Sequence, residues 1–176
     1  VHAVMGDIGA SGAYYIAAAA DTIHAAPASV VGSIGVLSGG FGFTGLIEKL
    51  GIERRLIIAG DSKAMLDPFL PENEADREHL QALLNQTHQQ FIQRVLDGRG
   101  DRLSQSTDIF DGRIFSGETA LELGLIDSLA TPSEVAREWI GAEDRIYYQA
   151  REPILEKFSR EFGFGMATGL GWIVRQ

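Results

Sequence analysis

The chain has 176 residues, of which 45% are hydrophobic and 22% charged, and its formal net charge is −9. Its size and composition suit one globular domain with a sizeable core and exclude disorder, and the negative charge argues against nucleic acid as a partner. The absence of cysteine excludes disulfides and thiolate chemistry, and no apolar run reaches the roughly 18 residues that a membrane-spanning helix needs.

The first third of the sequence alternates short strand patterns with short helix patterns. Strands are predicted at 1–6, 22–26, 29–37 and 54–60, and brief helices at 12–20 and 46–51. This alternation predicts an α/β fold. Because a buried strand is predicted at the very start of the sequence, we expect earlier strands of the same domain to precede it.

A long amphipathic helix is predicted at 71–96. Its first turn is acidic, as the helix dipole favours, and DGRG at 97–100 ends it. The residues at helical spacing are Leu80, Leu83, Leu84, Thr87, Phe91, Ile92 and Val95.

Shorter elements follow the long helix. We expect a strand and turn at 109–115 and, within 116–127, a helix that Ser116 caps and Gly124 ends. A last helix is expected at 131–141. The tail from Tyr147 predicts a loosely ordered terminus, with packing on a neighbouring subunit or contact with a membrane surface as alternatives. No repeat or linker divides the sequence, which predicts a single domain over 1–176.

Ser11 lies in a glycine-rich turn between a predicted strand and a predicted helix. The N–H groups at a helix start favour negative charge, and the Gly12 amide would be a donor for an oxyanion formed at Ser11. The more common role for a serine at this position is a helix N-cap, and the local sequence alone favours that interpretation.

A nucleophilic serine needs a base, and no histidine is compelling. His79 and His88 lie nine residues apart on the long helix, on opposite faces, and His88 is expected at the edge of the core. Lys63 follows a predicted strand in AGDSKAML, where apolar neighbours would disfavour the ammonium form. A surface lysine is the alternative.

The segment MGDIGASGAYYIAAAADTIHAAPASVVGSIGV resembles the nucleophile segment of the signal peptide peptidase A family. These serine–lysine peptidases have the Clp protease/crotonase-like fold of layered β-β-α units, to which this chain would add the long amphipathic helix. The resemblance implies that Ser11 is the nucleophile, that Lys63, 52 positions later in a G-x-x-K setting, is the base, and that Ser33 orients the lysine. Within the family, the predicted helix QTHQQFIQRV and the tail after Tyr147 resemble the SohB-type branch most.

The resemblance also implies where the site is incomplete. Gly12 would supply one oxyanion donor, while the second, a family glycine on an earlier strand, is not in this sequence. DGRIFSGETALELGLID resembles a later family signature that we interpret as structural. Residues 1–176 on their own are therefore expected to hydrolyse peptides more slowly than a protein that includes the second oxyanion donor.

The implied function is a serine endopeptidase that needs no cofactor and no metal. Its substrates would be signal-peptide remnants or membrane-associated proteins. Its partners would be copies of itself, in a bowl-shaped oligomer where a lysine can meet a neighbour's serine. Its location would be a bacterial membrane, facing the periplasm, through segments outside this sequence.

Two alternatives remain. One is a non-catalytic scaffold with the same fold. The other is a dinucleotide-binding domain, because Gly40 to Gly45 form a GxGxxG pattern with Asp61 lying 21 residues after its first glycine. The helix predicted after this pattern is too short for an ordinary crossover.

Overall fold

The structure is a computed structural model that describes residues 1–105, 107–142, 144, 146 and 148. The chain divides into a unit of Val1–Gly141 and a unit of Ala142–Gln176. Apart from Tyr148, the tail from Tyr147 lies outside the described residues, so what is expected of this tail stays a prediction, as does the single domain over 1–176.

In the described part of the chain, six short strands form two three-stranded sheets. They are β1 His2–Val4, β2 Ile8–Ala10, β3 Thr22–Ala25, β4 Val30–Gly32, β5 Ile114–Ser116 and β6 Ser128–Leu129. Sheet A has the order β1-β3-β6 and is parallel throughout. Sheet B has the order β2-β4-β5, with β2 parallel and β5 antiparallel to β4.

The first four strands alternate between the two sheets. β1 and β2 precede α1 (Gly12–Ala17), and β3 and β4 precede α2 (Thr44–Lys49) and α3 (Glu74–Arg99). β5 and β6 flank α4 (Gly117–Glu122). The first strand of each early pair lies in sheet A and the second in sheet B, which is a layered β-β-α arrangement. The predicted α/β class is confirmed.

One cluster of buried apolar side chains joins both sheets to α1, α3 and α4. Its members include Tyr14, Ala18, Ile23, Val31, Phe91, Val95, Ala120 and Leu125. The Tyr14 hydroxyl donates to the Leu125 carbonyl at 2.7 Å, which satisfies the one polar group of that side chain. Gly98 lets α3 approach the end of α1 closely, since a Cβ at Gly98 would lie 1.8 Å from the Ala18 carbonyl oxygen.

Helix α3 confirms the predicted long helix but packs over only part of its length. Asn73 caps it by accepting from the N–H groups of Ala75 and Asp76, and it ends before Gly100, whose φ is +52°. Its buried residues are Phe91, Val95 and Arg99. Leu83, predicted to be on the apolar face, is 51% exposed, and Leu80 and Leu84 are half-buried, so the first half of that face is only partly covered in the described part of the chain.

A buried ion pair ties α3 to the segment after α4. Arg99, 2% exposed, donates two hydrogen bonds to the Asp127 carboxylate at 2.7 and 2.9 Å and a third to the Gly124 carbonyl. Asp127 also accepts the Ile23 N–H of β3 at 2.7 Å. Asp127 belongs to the signature that we interpreted as structural, and these hydrogen bonds connect it to both α3 and β3.

The prediction of a buried strand at 54–60 is wrong. These residues form no strand, and the Ile57 side chain is fully exposed. An apolar β-branched run becomes a strand only where a neighbouring strand accepts its backbone hydrogen bonds, and no strand in the described part of the chain lies beside it. The predicted strand at 29–37 is also shorter, because β4 ends where Ser33 adopts a φ of +53°.

The last two predicted helices are confirmed. Ser116 caps α4 by accepting the Thr119 N–H, and Gly124 follows with a φ of +74°. Helix α5 (Pro132–Glu134) begins with a capping box between Thr131 and Glu134 and continues as a π-helical segment, Val135–Ile140.

Candidate active site

Ser11 has a strained backbone at the junction of β2 and α1. Its φ and ψ are +53° and −123°, and only two residues other than glycine have positive φ in the described part of the chain. Such a conformation costs about 1–3 kcal/mol and persists only where its surroundings enforce it. Here the Ser11 N–H donates to the Gly32 carbonyl at 2.8 Å, and the Ser11 carbonyl accepts from the Tyr15 N–H at 2.9 Å.

The N-cap interpretation of Ser11 is wrong. A capping serine has extended φ and ψ, which brings its hydroxyl to the N–H groups of the first turn. At a φ of +53° the Ser11 side chain makes no capping hydrogen bond, and its residue is exposed. Among the described residues the Ser11 hydroxyl has no hydrogen-bond partner, so it is available for chemistry.

The second non-glycine residue with positive φ is Ser33, at the end of β4. Its N–H donates to the Arg113 carbonyl at 2.7 Å, at the start of β5. The Ser11 and Ser33 turns lie beside each other because β2 and β4 are parallel, with Ala10 opposite Gly32. Sheet B thus holds both serines at one edge.

Ser11, Gly12 and Ser33 line one pocket of about 710 Å³. The wall of this pocket is largely apolar. Its other lining residues are Tyr15, Gly35, Val36, Leu37, Thr87, Gln90, Phe91, Asp111 and Gly112. The structure therefore brings three of the four predicted site residues together.

Gly12 has an open position in this pocket. A Cβ built at Gly12 would meet nothing within 4 Å, and its N–H donates to no backbone acceptor in the described part of the chain. This N–H is one of the unpaired donors at the start of α1. It can therefore reach an oxygen atom placed beside Ser11.

Lys63 does not line the Ser11 pocket. It lies in a turn after residues 54–60, where its N–H donates to the Gly60 carbonyl at 3.0 Å, and it is exposed. The expectation that apolar neighbours surround it is wrong in this single chain, because the apolar residues of its segment face outward. The roles assigned to Lys63 and Ser33 stay predictions.

Sequence reasoning missed Asp111 and Gly112. The Asp111 carboxylate accepts from the backbone N–H and the side chain of Arg113, and Arg113 also pairs with Asp108. Asp111 is the one charged side chain among the residues that line the pocket. The signal available was topological: a strand antiparallel to β4 must begin where β4 ends, so the turn before β5 lies beside Ser33.

His88 has the role predicted for it. It is partly buried, and its Nε2 donates to the Ile34 carbonyl at 3.1 Å, next to Ser33. In the described part of the chain, no cluster of three or more His, Cys, Asp or Glu side chains is arranged to hold a metal ion. None of the described helices combines the length and the apolar character needed to cross a bilayer.

The GxGxxG pattern lacks the structural context of a dinucleotide site. β4 ends at Gly32, and no described strand leads directly into Gly40. Helix α2, which begins at Thr44, has six residues. A dinucleotide fingerprint needs a strand before the glycines and a full crossover helix after them.

Comparison with protein families resolves what kind of chain carries this pocket. The model of Peptidase family S49 matches residues 1–142, most of the sequence. The chain belongs to Peptidase family S49. The strained Ser11 turn and its pocket lie within the region that matches this family.

Relatives of this S49 chain carry different names. It is 43% identical over 164 residues to the Na(+)/H(+) antiporter NhaA of Brucella abortus, covering 93% of this chain and 22% of that protein. It is 38% identical to the putative protease MJ0651 of Methanocaldococcus jannaschii, covering 94% of this chain and 55% of that protein. It is 34% identical to the probable protease SohB of Buchnera aphidicola, covering 86% and 45%. The predicted relationship to the signal peptide peptidase A and SohB-type proteins is confirmed.

The chain spans about a fifth of the antiporter and about half of the two proteases. Among solved structures, an enoyl-CoA hydratase/isomerase family protein from Hyphomonas neptunium aligns with 80% of this S49 chain and 37% of its own, at 24% identity. The TM-score is 0.39, too low to add an argument about the fold.

Proposed function

We propose that this chain is the catalytic part of a serine peptidase in which the Ser11 hydroxyl attacks the substrate carbonyl. The observation that carries the proposal is the Ser11 turn: a serine of positive φ, with no capping hydrogen bond, in a pocket at the start of α1. Membership of Peptidase family S49 supports it. Strained residues of this kind cluster at catalytic sites.

Gly12 is the proposed oxyanion donor. Its N–H lies one residue after the nucleophile, and no side chain fills the space beside it. One such donor contributes about 10²–10³ to turnover. The second donor is proposed to come from a segment outside this sequence, as the family resemblance implies.

Lys63 is the proposed base. Because it does not line the Ser11 pocket in the single chain, it must be brought there by association with another copy. It lies on the segment 36–69, which carries 13 of the 26 exposed large apolar side chains among the described residues. Such a concentration of exposed apolar surface favours association. We infer a homo-oligomer in which this segment packs against another copy, so that Lys63 meets Ser11 within or between subunits.

The chemical steps follow from these roles. Neutral Lys63, held by the Ser33 hydroxyl, takes the Ser11 hydroxyl proton as the Ser11 Oγ bonds to the carbonyl carbon. The C–N bond then breaks, and the leaving amine takes the proton from Lys63. Water then attacks the resulting acyl-enzyme and gives a proton to Lys63, which passes it to the Ser11 oxygen as the ester bond breaks.

The pocket wall supports apolar peptide substrates. Tyr15, Val36, Leu37 and Phe91 offer apolar contact area beside Ser11. Extended apolar peptides, such as signal-peptide remnants or segments of membrane-associated proteins, fit this chemistry. Association with a bacterial membrane, facing the periplasm, is part of the same proposal and is tested by fractionating cells that express the full-length protein.

The test is cleavage of an apolar peptide by the full-length protein. Ser11→Ala and Lys63→Ala are each expected to abolish turnover with the fold retained, whereas Arg77→Ala, which removes an exposed cation of α3 outside the segment 36–69, leaves turnover unchanged. Turnover is expected to rise toward alkaline pH, because the base acts without its proton. Unchanged cleavage by Ser11→Ala would refute the proposed nucleophile.

Mixing the two inactive variants separates the two placements of Lys63. If Lys63 serves a neighbouring subunit, an equimolar co-assembly of Ser11→Ala and Lys63→Ala regains about a quarter of the parent turnover, since that share of neighbouring pairs is intact. If Lys63 serves its own Ser11, the mixture stays inactive.

A non-catalytic scaffold is the second candidate. The separation of Lys63 from the Ser11 pocket in the single chain favours it. A scaffold predicts no cleavage by the full-length parent at any pH and no difference between parent and Ser11→Ala.

A further inference from the structure

Four polar side chains lie together on one face of sheet A. His2 of β1 is opposite Thr22 of β3, and His24, two residues further along β3, is opposite Ser128 of β6. Alternate residues of a strand share a face, so Thr22 and His24 point the same way. The parallel register therefore brings two imidazoles and two hydroxyls into one row.

One nitrogen or oxygen atom from each of three of these side chains lies within 3.4 Å of the other two. His2 Nδ1 lies 2.7 Å from Thr22 Oγ1 and 3.4 Å from His24 Nε2, and Thr22 Oγ1 lies 3.0 Å from His24 Nε2. Two nitrogens bonded at about 2.0–2.1 Å to one tetrahedral ion lie about 3.3–3.4 Å apart. The two ring nitrogens thus have the spacing of two ligands on one ion.

We propose that His2 and His24 form a binding site for a divalent transition metal such as Zn²⁺, Ni²⁺ or Cu²⁺. Imidazole is a preferred ligand for these ions. The Thr22 hydroxyl lies within reach as a third oxygen donor, and water completes the coordination. The bound ion would link β1 to β3.

Ser128 orients the buried ligand. The His24 side chain is fully buried, and its Nδ1 lies 2.7 Å from the Ser128 hydroxyl oxygen. When Nδ1–H donates to Ser128, the Nε2 lone pair faces His2, as in metal sites where a second hydrogen bond fixes the ligating tautomer.

The site is open to solvent and lies beside a tryptophan whose fluorescence can report metal binding. His2 is exposed, which gives an ion access from solvent. The Trp139 ring packs edge-on against both imidazoles, with centroid distances of 4.7 Å to His24 and 6.3 Å to His2. Paramagnetic Ni²⁺ or Cu²⁺ bound between the imidazoles will quench indole fluorescence at this range.

The experiment is a titration of the full chain with NiCl₂, followed by tryptophan fluorescence. The sequence has two tryptophans, so Trp172→Phe leaves Trp139 as the reporter. In this background we expect saturable quenching that EDTA reverses. His2→Ala should raise the half-saturating concentration at least about tenfold. His79→Ala, which removes an exposed histidine of α3, is the matched control and should change nothing.

Variants of Ser128 test the orientation of His24. Ser128→Ala should weaken Ni²⁺ binding about 10- to 100-fold, and Ser128→Thr, which keeps the hydroxyl, should restore it if the fold is retained. Zn²⁺ should raise the melting temperature of the parent but not that of His2→Ala.

Three results would overturn the proposal. One is the absence of saturable quenching, and another is equal quenching in His2→Ala. The third is a loss in His2→Ala with no change in Ser128→Ala, which would indicate a chelate formed by His2 with the amino end of the chain. All three are independent of peptidase activity.

Discussion

Removing the Arg99 guanidinium should destabilise the fold by about 3 kcal/mol. Arg99→Met keeps most of the side-chain volume but leaves the Asp127 carboxylate without its two hydrogen bonds at 2.7 and 2.9 Å, and the Gly124 carbonyl without its donor. Breaking a buried ion pair costs about 3–5 kcal/mol. The lower figure applies because Arg102 still contacts Asp127 at 3.1 Å.

The assay is urea unfolding followed by circular dichroism, together with thermal melting. A loss of about 3 kcal/mol corresponds to a fall in melting temperature of about 6–12 °C for a chain of this size. Arg102→Ala is the matched control: Arg102 contacts the same carboxylate, but its side chain is 43% exposed. Its ion pair should contribute about 1 kcal/mol or less.

The effect of Arg99→Met should also depend on pH. Burial by itself would raise the pKa of Asp127, but the hydrogen bonds from Arg99 and Ile23 and the charges of Arg99 and Arg102 bring it below its usual value. A carboxyl whose pKa is lowered by folding stabilises fully above its unfolded pKa of about 3.9, and this contribution disappears as the pH falls through the folded value. The difference between Arg99→Met and parent should therefore narrow in acid. A loss below about 1 kcal/mol at neutral pH, or a loss equal to that of Arg102→Ala, would refute the reasoning.

Three further predictions concern single positions. Ser11→Gly should raise the free energy of unfolding by about 1 kcal/mol, because glycine accepts the positive φ, while Ser11→Ala should not; urea unfolding of both variants measures this. Gly98→Ala should lower the melting temperature despite the higher helix propensity of alanine, because its Cβ would lie 1.8 Å from the Ala18 carbonyl oxygen, and an unchanged value would contradict that packing. Stability should fall as the pH drops below about 6.5, because burial lowers the pKa of His24 and the unfolded chain takes up the proton first. Melting in EDTA at pH 7.5 and 5.5 measures this, and the fall in melting temperature between the two values should be smaller for His24→Gln than for the parent.

The elements with strong local signals could be predicted from the sequence. Ser116 and Thr119, Gly124 and the acidic start of α3 are local patterns, and each fixed a helix boundary that the structure confirms. The α/β class followed from the alternation of such elements. Local chemistry decides these features, so no knowledge of distant contacts was needed.

Features that depend on distant contacts could not be predicted. Residues 54–60 have strand composition but no pairing partner in the described part of the chain, so their side chains are exposed. Ser11 has the composition of an N-cap, but the hydrogen bond from its N–H to Gly32 holds a φ at which it cannot cap α1. Asp111 reaches the pocket only through the pairing of β4 with β5.

The central claim is that Ser11 presents a free, reactive hydroxyl at the start of α1. The most direct measurement is peptide mapping by mass spectrometry after treatment of the full-length protein with a fluorophosphonate. A single adduct on Ser11, absent from Ser11→Ala, is the predicted result. An adduct on Ser33 instead, or no adduct in a preparation that cleaves peptide, would contradict the account.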